Sequence, residues 1–495
     1  MFHLGPKRPP SRKGSMADVP RNLMDELAKY QELLTVSPQK LKKITDHFIS
    51  ELEKGLSVKG GNIPMIPTWI VDYPTGEETG EYLAIDLGGT NLRVVLVKLL
   101  GNCKFDTEQS KYHLPSDIRT TRDKDILFSY IADSVAKFIN DLYPNGVPKG
   151  KILPLGFTFS YPCTQSRIDT GVLQRWTKGF DIPGVEGYDV VPMLVSQFEK
   201  RKVPVKLVAL INDTSGTLVA SRYTDPATEM GLIFGTGCNG AYYDRIHNIP
   251  KLAGKLQDDI TQDSPMLINC EYGSFDNEHL ALPRTKYDII IDAQSPRPNQ
   301  QAFEKMIAGY YLGEVLRLIL VELYEKNLIL EKYKSDNEGI KLLNEPYILD
   351  TEVLTRIEDD PFENLEDTCT LFKEKLHLEF TSPERKLIRK LAELIGTRAA
   401  RLSICGIAAV TKKMNYLKCH CAADGSVFNH YTNFPARAVD GLADIFDWKL
   451  QGLKPEDYPI QIVPSEDGSG VGAAVAAALT HRRIEKGLSV GLKGA

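Results

Sequence analysis

Apolar residues in this chain form short runs of strand length, and several of these runs end at a glycine-rich corner. Residues 82–85 and 92–97 are two such runs, the second rich in β-branched side chains, and they flank Gly88 and Gly89. A turn of this kind gathers backbone N–H groups with no Cβ in the way, which suits an anionic oxygen. Asp86 before the turn can hold water around a divalent cation. The pattern therefore predicts a strand, a phosphate-binding turn and a strand, with an ordinary β-hairpin as the alternative.

The same order of elements recurs later in the chain. Residues 231–243 again predict a strand, a glycine turn and a strand, while residues 210–220 predict a strand, a polar corner and a helix. That corner reads Asp213-Thr-Ser-Gly, and Asp467-Gly-Ser-Gly repeats it near the C-terminal end. Because a glycine turn is twice followed by an Asp-x-Ser-Gly helix, we infer a weak internal duplication. Two related α/β lobes would then place both glycine turns on one cleft.

Periodic apolar positions predict several amphipathic helices. Ser37-Pro38 and Ser382-Pro383 each supply an N-cap followed by a first-turn proline. Continuous apolar runs instead predict a buried strand over 153–160 and another over 205–211, after which Asp213 should emerge into the cleft. The helices are expected over residues 20–34, 37–56, 126–143, 300–324 and 382–413.

Composition excludes few classes of protein. The chain has 495 residues, 42% of them apolar and 25% charged, which is ordinary for a globular protein of two or more domains. A net charge of −5 does not favour nucleic acid or an anionic membrane as a partner. No apolar run is long enough to span a bilayer, and the first residues lack an apolar signal region, so export is not expected. Eight scattered cysteines indicate free thiols in a reducing compartment.

Three further segments carry a prediction of their own. Residues 1–19 are basic and interrupted by proline, which predicts a flexible tail, and Ser15 follows basic residues that a kinase could recognise. The acidic stretch 358–367 is expected to be a solvated loop or a helix start. Cys419-His420-Cys421 is not expected to bind metal, because no second ligand pair has matching spacing.

Several uncommon strings occur together in this sequence. Through these strings and their order, the chain resembles the fungal-type hexokinases, a family of sugar kinases with the actin-like ATPase fold. The resemblance extends from about residue 16 to the last residues. The strings are Leu83-Ala-Ile-Asp-Leu-Gly-Gly-Thr-Asn, Leu155-Gly-Phe-Thr-Phe-Ser-Tyr-Pro, Trp176-Thr-Lys-Gly-Phe, Ile211-Asn-Asp-Thr, Gly235-Thr-Gly-Cys-Asn, Asn269-Cys-Glu-Tyr-Gly-Ser-Phe, Phe303-Glu-Lys-Met and Ala423-Asp-Gly-Ser.

The resemblance implies an α/β fold of two actin-like, ribonuclease H-like lobes that flank a deep cleft, with extra helices on the larger lobe. It places residues 77–214 and 460–482 in the small lobe and residues 20–76 and 215–459 in the large lobe. Residues 483–495 would form a C-terminal tail.

The resemblance also implies a hexose site made of carboxylates, carboxamides and hydroxyls, groups that match the hydroxyls of a sugar as donors and acceptors. Asp213 is expected to be the catalytic base for the 6-hydroxyl, and Lys178 its electrostatic partner near the transferring group. The set consists of Ser160, Thr177, Lys178, Asn212, Asp213, Asn239, Glu271 and Glu304.

For the nucleotide, the resemblance implies a phosphate turn on each lobe and an adenosine site on the large lobe. Asp86 would contact magnesium through water. No Gly-x-x-x-x-Gly-Lys-Ser/Thr string exists, so a P-loop is not expected. The residues are Asp86, Leu87, Gly88, Gly89, Thr90 and Asn91 on the first turn, Thr236 and Gly237 on the second, and Gly309, Asp424, Gly425, Ser426, Val427 and Phe428 beside the nucleoside.

These residues predict an enzyme that uses magnesium-ATP to phosphorylate glucose, and also fructose and mannose, in the first step of glycolysis. A regulatory glucose sensor with a nuclear or partner-binding role is the alternative, because the basic tail and Ser15 suit it. The resemblance further implies a homodimer in exchange with the monomer and a cytoplasmic location, with the nucleus as a second one. Neither a membrane nor nucleic acid is expected as a partner.

Overall fold

A computed structural model describes residues 16–177, 179–334, 339–465 and 467–494, so Ser15 and Lys178 lie outside the described residues. The strands are β1 (Ile66–Pro67), β2 (Thr79–Leu87), β3 (Asn91–Gly101), β4 (Lys104–His113), β5 (Leu153–Phe159), β6 (Cys163–Thr164), β7 (Val172–Leu173), β8 (Val205–Ile211), β9 (Thr228–Phe234), β10 (Cys238–Arg245), β11 (Pro265–Asn269), β12 (Cys419–Asp424) and β13 (Ile460–Pro464). The α-helices are α1 (Arg21–Leu34), α2 (Pro38–Ser57), α3 (Ser116–Arg119), α4 (Lys124–Leu142), α5 (Val190–Arg201), α6 (Asp213–Thr224), α7 (Lys286–Gln294), α8 (Ala302–Ile307), α9 (Gly309–Glu325), α10 (Thr351–Asp359), α11 (Glu366–Leu376), α12 (Ser382–Met414), α13 (Ser426–His430), α14 (Phe434–Phe446) and α15 (Gly468–Glu485).

One sheet, here called the small-lobe sheet, has the strand order β4-β3-β2-β5-β8. The β2–β3 hairpin is antiparallel, and β2, β5 and β8 run parallel to one another. Asp86 is level with Thr158 of β5, and Thr158 is level with Ile211 of β8. Because the parallel strands end at one edge of the sheet, the first glycine turn, Ser160 and Asp213 all emerge at that edge.

The other sheet, here called the large-lobe sheet, has the order β1-β11-β10-β9-β12-β13. Its β9–β10 hairpin is antiparallel, and β12 runs parallel to both β9 and β13. The two sheets thus share a hairpin with a glycine turn followed by parallel strands, as the repeated sequence pattern predicts. Strand β13 belongs to this sheet, whereas α15 packs on the small-lobe sheet, so the segment 460–482 is divided between the two lobes.

Helices α6 and α15 lie side by side and join the two sheets. They can approach closely because glycines face each other: a Cβ on Gly472 would lie 2.1 Å from the carbonyl oxygen of Gly216. Helix α6 in turn packs on β9, where a Cβ on Gly231 would lie 2.8 Å from the Thr214 carbonyl oxygen. The contact therefore fixes the start of α6, and with it Asp213, relative to both lobes.

The predicted helix over 300–324 is two helices, α8 and α9. The break is at Ala308, whose backbone is extended at φ −80° and ψ 148°. The extended residue lets the N–H of Gly309 donate to the carbonyl of Gly235 at 2.8 Å, a bond that a continuous helix could not make. The other predicted helices and the predicted strands 153–160 and 205–211 are confirmed to within two residues at each end.

The acidic stretch 358–367 is not simply a solvated segment. Glu358 is 4% exposed and Asp360 is 1% exposed, so both carboxylates are buried. The carboxylate of Glu358 accepts bonds from the Tyr431 hydroxyl at 2.5 Å and from Arg437 at 2.6 Å. The solvated-loop prediction was wrong for Glu358 because its partners lie 73 and 79 residues further along the chain, beyond any local pattern. Asp360 is buried for a local reason, since it accepts from the N–H and hydroxyl of Thr368 at 2.7 and 2.8 Å, and the alternative of a helix start is met at Glu366, where α11 begins.

Helix α12 is long and apolar enough to cross a membrane by length and composition, and 83% of its most apolar window is buried inside the protein. It is the central helix of the large lobe. Lys386 on this helix binds Asp18 at 2.6 Å, so the last residues of the predicted flexible tail 1–19 are in fact anchored to the large lobe. At the other end, Leu492 donates to Ser166 at 2.8 Å and Lys493 donates to Lys255 at 2.9 Å. The predicted C-terminal tail therefore packs along both lobes, and its first residues, 483–485, are the end of α15.

Candidate active site

The first glycine turn is closed by a bond from the N–H of Gly88 to the carbonyl of Asn91, at 2.9 Å. Strand β2 brings Asp86 to the start of this turn. Its Oδ2 accepts from Arg93 at 2.9 Å and from the hydroxyl of Ser469 at 2.7 Å. Among the described residues its Oδ1 has no hydrogen-bond partner, so one oxygen is available to water around a cation. The donor set thus fits the predicted indirect contact with magnesium.

Arg93 lies between two carboxylates, at 2.9 Å from Asp86 and 2.8 Å from Asp467. Burial of the guanidinium opposes its charge, but the two carboxylates outweigh that effect and raise the pKa of Arg93. The residue therefore stays charged and holds Asp86 of the first glycine turn and Asp467 of the second Asp-x-Ser-Gly corner at a fixed separation. The sequence prediction missed Arg93, Asp467 and Ser469 as members of this cluster.

The other predicted residues of this turn have different environments. Leu87 is fully buried in the small-lobe core, so it offers only its backbone to a ligand. Thr90 is exposed, and its hydroxyl accepts from the Asn91 amide at 2.9 Å. The carbonyls of Gly88 and Gly89 lie near Tyr161 and Arg119, each at 3.4 Å from the donor. The turn consequently presents the Thr90 hydroxyl and the Asn91 amide to a ligand, together with its own backbone groups.

The second glycine turn follows β9 and is closed by a bond from Gly235 N–H to the Gly237 carbonyl, at 2.9 Å. Thr236 at its tip is exposed. Gly425 lies against this turn with φ 113°, where a Cβ would be 2.5 Å from the Phe234 carbonyl oxygen. Only glycine fits there, because both the backbone angle and the space exclude a side chain.

Gly309 lies close both to a predicted nucleoside residue and to the second glycine turn. A Cβ on Gly309 would lie 2.8 Å from Val427 and 3.1 Å from the Gly235 carbonyl oxygen. Thr351 also bonds to the Gly309 carbonyl. Asp424 accepts from Gly425 N–H at 2.6 Å, and Ser426 begins α13, whereas Val427 and Phe428 are buried. These predicted residues are therefore brought together, with Thr351 as an additional member.

Asp213 is the first residue of α6 and Asn212 is its N-cap. The Asn212 side chain accepts from Thr214 N–H at 2.9 Å, and Oδ1 of Asp213 accepts from the same N–H at 2.7 Å. Among the described residues, Oδ2 of Asp213 has no hydrogen-bond partner. One oxygen is thus fixed by the helix start while the other is available to a ligand in the cleft.

Three polar residues of the large-lobe sheet form a connected network. The Asn239 amide donates to Asn269 at 2.7 Å and to Glu271 at 3.1 Å, and the Asn269 amide donates to the same Glu271 oxygen at 2.9 Å. The backbone N–H of Glu271 donates to Oδ1 of Asn239 at 2.9 Å. Asn269 was missed by the sequence prediction, although its position at the end of the apolar strand β11 signals a polar group at the sheet edge.

Glu304 of α8 lies behind the second glycine turn, where its Oε2 accepts from Cys238 N–H at 3.0 Å. A Cβ on Gly237 would lie 2.6 Å from the same oxygen. Burial, together with a smaller effect of the nearby Glu271, raises the pKa of Glu304 to about 7 against the opposing effect of the Cys238 hydrogen bond. The carboxyl group therefore changes charge near neutral pH.

Ser160 and Thr177 lie on the small lobe beside a cluster of aromatic rings. Ser160 follows β5 and is 9% exposed. Trp176, the neighbour of Thr177, stacks on Phe180 with ring centroids 5.2 Å apart and donates its indole N–H to Ile182 at 3.0 Å. The cluster fixes the backbone of Thr177. Lys178 follows immediately and lies outside the described residues.

A cavity of about 690 Å³ opens between the lobes. Glu271 is the one predicted site residue that lines it. Trp69, Arg175 and Gln301 also line it, and the sequence prediction did not include them. Within the described residues, no group of three or more His, Cys, Asp or Glu side chains is placed to hold a metal ion directly.

Two related α/β lobes, a glycine turn on each and a carboxylate at the start of the connecting helix define the class of actin-like sugar kinases. Two family models, both described as hexokinase, match residues 26–223 and 229–479. The chain belongs to the hexokinase family, and it is therefore an ATP:D-hexose 6-phosphotransferase.

Known relatives agree over the whole chain. The hexokinase of Kluyveromyces lactis is 61% identical over 494 residues, covering 100% of both chains. Hexokinase-2 of Saccharomyces cerevisiae is 59% identical over 495 residues, again covering 100% of both chains. A solved hexokinase from Schistosoma mansoni, complexed with glucose, superposes with a TM-score of 0.80 at 33% identity, covering 92% of this chain and 99% of that one.

Proposed function

We propose that Asp213 is the general base of this kinase and accepts the proton of the hexose 6-hydroxyl as the γ-phosphoryl group transfers. The observation that carries this role is the split environment of its carboxylate: Oδ1 accepts from Thr214 N–H at 2.7 Å, while Oδ2 has no partner among the described residues. A base must be held in place and still reach the proton that it accepts. In phosphoryl transfer, most of the remaining rate acceleration comes from positioning the reactants and stabilising the charge that develops between them.

The hexose binds between the edge of the small-lobe sheet and the polar network of the large lobe. Ser160, Thr177, Asn212 and Asp213 approach it from one side, and Asn239, Glu271 and Glu304 from the other. The network supports this assignment because Asn239 and Asn269 hold Glu271 in one orientation. Lys178 is assigned to the same site on the family resemblance alone.

The nucleotide binds across the two glycine turns, with its phosphates near residues 86–91 and 236–237. Its nucleoside lies by Gly309 and residues 424–428. Magnesium bound to the triphosphate supplies charge neutralisation at the transferring group. Asp86 orients the water around that ion through Oδ1, and Arg93 keeps the carboxylate in place.

The hexoses accepted are glucose, fructose and mannose. Glucose is supported by the glucose complex of the Schistosoma mansoni hexokinase. The cavity of about 690 Å³ offers space for any of the three sugars. Closure of the lobes around the sugar excludes water, so that ATP is not hydrolysed without a hexose.

The test compares Asp213→Asn with Asp189→Asn in a coupled assay with magnesium-ATP and each sugar. Asp189 is a matched control, because it also caps a helix, accepting from Val191 N–H at 3.0 Å. We expect the Asp213 variant to lose about 10²- to 10⁴-fold in kcat, the usual contribution of a general base. Glucose binding, followed by tryptophan fluorescence, should persist. An Asp213 variant with nearly normal kcat would remove this residue from the role, whereas a wild-type chain that binds glucose without turnover would favour the sensor.

For assembly, we propose exchange between monomer and homodimer, controlled by the basic tail and by phosphorylation of Ser15. The salt bridge between Lys386 and Asp18 supports this proposal, because it attaches the last residues of the tail to a fixed position on α12. Sedimentation of Ser15→Glu and of a chain lacking residues 1–16 tests it, with a shift toward monomer expected. An unchanged distribution in both would contradict it.

For location, we propose the cytoplasm, with the nucleus as a second site. All eight cysteines are free thiols, which supports a reducing compartment. Fractionation of cells, with detection of the full chain in the cytoplasmic and nuclear fractions, tests this assignment.

A further inference from the structure

Arg175 occupies an unusual position between two well-ordered neighbours. The backbone N–H of Gln174 donates to the Pro162 carbonyl at 2.8 Å, and the backbone N–H of Trp176 donates to Glu186 at 2.6 Å. Arg175 itself lines the 690 Å³ cavity between the lobes. Its backbone is therefore held on both sides, while its side chain borders the space that the hexose would fill.

The guanidinium of Arg175 has no partner. Among the described residues it makes no hydrogen bond and no ion pair, and its Nε is buried without an acceptor. An unsatisfied buried donor costs about 1–3 kcal/mol, and an arginine has five donors to satisfy. Arg398 differs: its Nε is also buried without an acceptor, but its two terminal nitrogens contact Asp288 at 2.8 and 2.9 Å. The missing partner indicates that Arg175 acquires one in another state of the molecule.

The charged groups that face Arg175 come from the large lobe. Burial lowers the pKa of Arg175, the positive charge of Arg297 lowers it further, and the carboxylates of Glu271 and Glu304 oppose this. In return, the charge of Arg175 opposes the rise in the pKa of Glu304. Lys305 also acts on Glu304, but its ammonium group is engaged with Asp292 at 2.6 Å. Of the two described cations that act on Glu304, Arg175 is therefore the one without a carboxylate partner of its own.

We propose that Arg175 is a positioning residue of the hexose site, whose guanidinium pairs with Glu271 and Glu304 across the cleft when a sugar fills the cavity. This inference rests on the proposed hexose site. A bound sugar displaces water, which increases the cost of keeping two carboxylates ionised. The planar guanidinium offsets that cost, since it can serve two carboxylates with a rigid set of donors. Glu271 and Glu304 then remain acceptors for the sugar hydroxyls.

The test uses Arg175→Met, Arg175→Gln and Arg175→Lys, with Arg201→Met as the matched control. Arg201 belongs to the same lobe, pairs with Asp133 at 2.5 Å and does not line the cavity. We expect Arg175→Met to raise KM for glucose about 10- to 100-fold, as the loss of a hydrogen bond to a charged group predicts. The acid limb of kcat/KM against pH should move to higher pH. Both kcat and KM for magnesium-ATP should change less than about threefold.

Arg175→Lys should recover part of the glucose affinity, because a charge is restored without the planar donors. Glucose affinity is also measured without turnover, from the fluorescence of Trp69 and Trp176, which lie at the cavity and beside Arg175. Equal effects of Arg175→Met and Arg201→Met, or a fall in kcat with KM for glucose and the acid limb unchanged, would overturn the proposal. If Arg175→Met does not fold, Arg175→Gln and Arg175→Lys decide the same comparison. A wild-type chain that neither binds nor phosphorylates glucose would instead reject the proposed function.

Discussion

The hydroxyl of Ser469 lies 2.7 Å from Oδ2 of Asp86, although 383 residues separate them in the chain. Ser469 is in the first turn of α15, and Asp86 is near the end of β2. The same hydroxyl is 2.5 Å from Arg93. This contact connects the serine of the second Asp-x-Ser-Gly corner to the phosphate turn of the first half. The two halves of the duplicated pattern therefore contribute to one surface, which is where we propose that the nucleotide binds.

Replacing Ser469 with alanine should loosen Asp86 without removing it. A hydrogen bond to a charged carboxylate contributes about 1.5–3 kcal/mol, and because its loss reaches the nucleotide only through Asp86, we expect KM for magnesium-ATP to rise by a smaller factor, about two- to tenfold. KM for glucose should stay within about twofold of the wild-type value. Ser221→Ala is the control, because its hydroxyl contacts Ser465 at 3.1 Å rather than a site carboxylate. Steady-state kinetics with each substrate varied decide the outcome, and a larger effect on glucose than on magnesium-ATP would contradict it.

Gly472→Ala should separate α6 from α15. The added Cβ would lie 2.1 Å from the Gly216 carbonyl oxygen, a backbone atom that cannot rotate away. We expect a loss of about 1–3 kcal/mol in the free energy of unfolding, as for other overpacked sites, together with a lower kcat because Asp213 begins α6.

Gly441→Ala in α14 is the control for that substitution. Its added Cβ would meet the side chain of Ile404 at 3.1 Å rather than a backbone atom. Alanine also favours the helix, by about 1 kcal/mol relative to glycine. Chemical denaturation should show Gly441→Ala near or above wild-type stability. Equal stability of the two alanine variants would refute the close-packing argument for Gly472.

The elements of the site were predictable because their signals are local. The run 82–97 contains both strands of a hairpin, and the position of Asp213 after an apolar run gives a carboxylate at a sheet edge. Asn269 and Arg93 carried weaker local signals and were missed as site members. Arg93 could not be placed from its strand alone, because its second partner, Asp467, comes from the other end of the chain.

The arrangement of the lobes could be predicted only in outline. The repeated corners indicated two halves, but no pattern showed that β13 pairs with β12 while the helix after it crosses to the other lobe. Strand pairing and helix contacts of this kind depend on packing between distant segments. The break at Ala308 was missed for the same reason, since the Gly235 carbonyl that it serves is over 70 residues away.

Glu304→Gln should change how stability depends on pH. The pKa of Glu304 is about 7 in the folded protein against an ordinary value of 4.5, so the folded state binds the proton more tightly than the unfolded one. Below pH 4.5 this group costs nothing, and as pH rises from 4.5 through 7 the folded state loses up to about 3 kcal/mol. Glutamine stays neutral and avoids that loss.

We therefore expect Glu304→Gln to have a higher Tm than the wild type at pH 8, and the difference to shrink toward pH 5. Glu278→Gln, at an exposed position, is the control and should follow the wild type at every pH. Glucose affinity should fall in the Glu304 variant, because an acceptor for sugar hydroxyls is weakened. A difference in Tm that is constant with pH would show that Glu304 does not titrate in this range.

Gly491→Val should detach the C-terminal tail from the small lobe. Gly491 pairs with Arg167, and a Cβ there would lie 2.3 Å from Cγ of Arg167 and 2.7 Å from the Ser166 carbonyl oxygen. The bonds from Leu492 to Ser166 and from Ile168 to Val490 would be lost, at about 1 kcal/mol each. Because Lys493 also bonds to Lys255 of the large lobe, the released tail would no longer bridge the two lobes.

Limited trypsin digestion of Gly491→Val, followed by mass spectrometry, should show faster cleavage after Lys486. Thermal unfolding should show a lower Tm. Leu417→Ala, at a position of the large lobe that is 89% exposed, is the control, and equal protection of both variants would mean that the tail is held by other contacts.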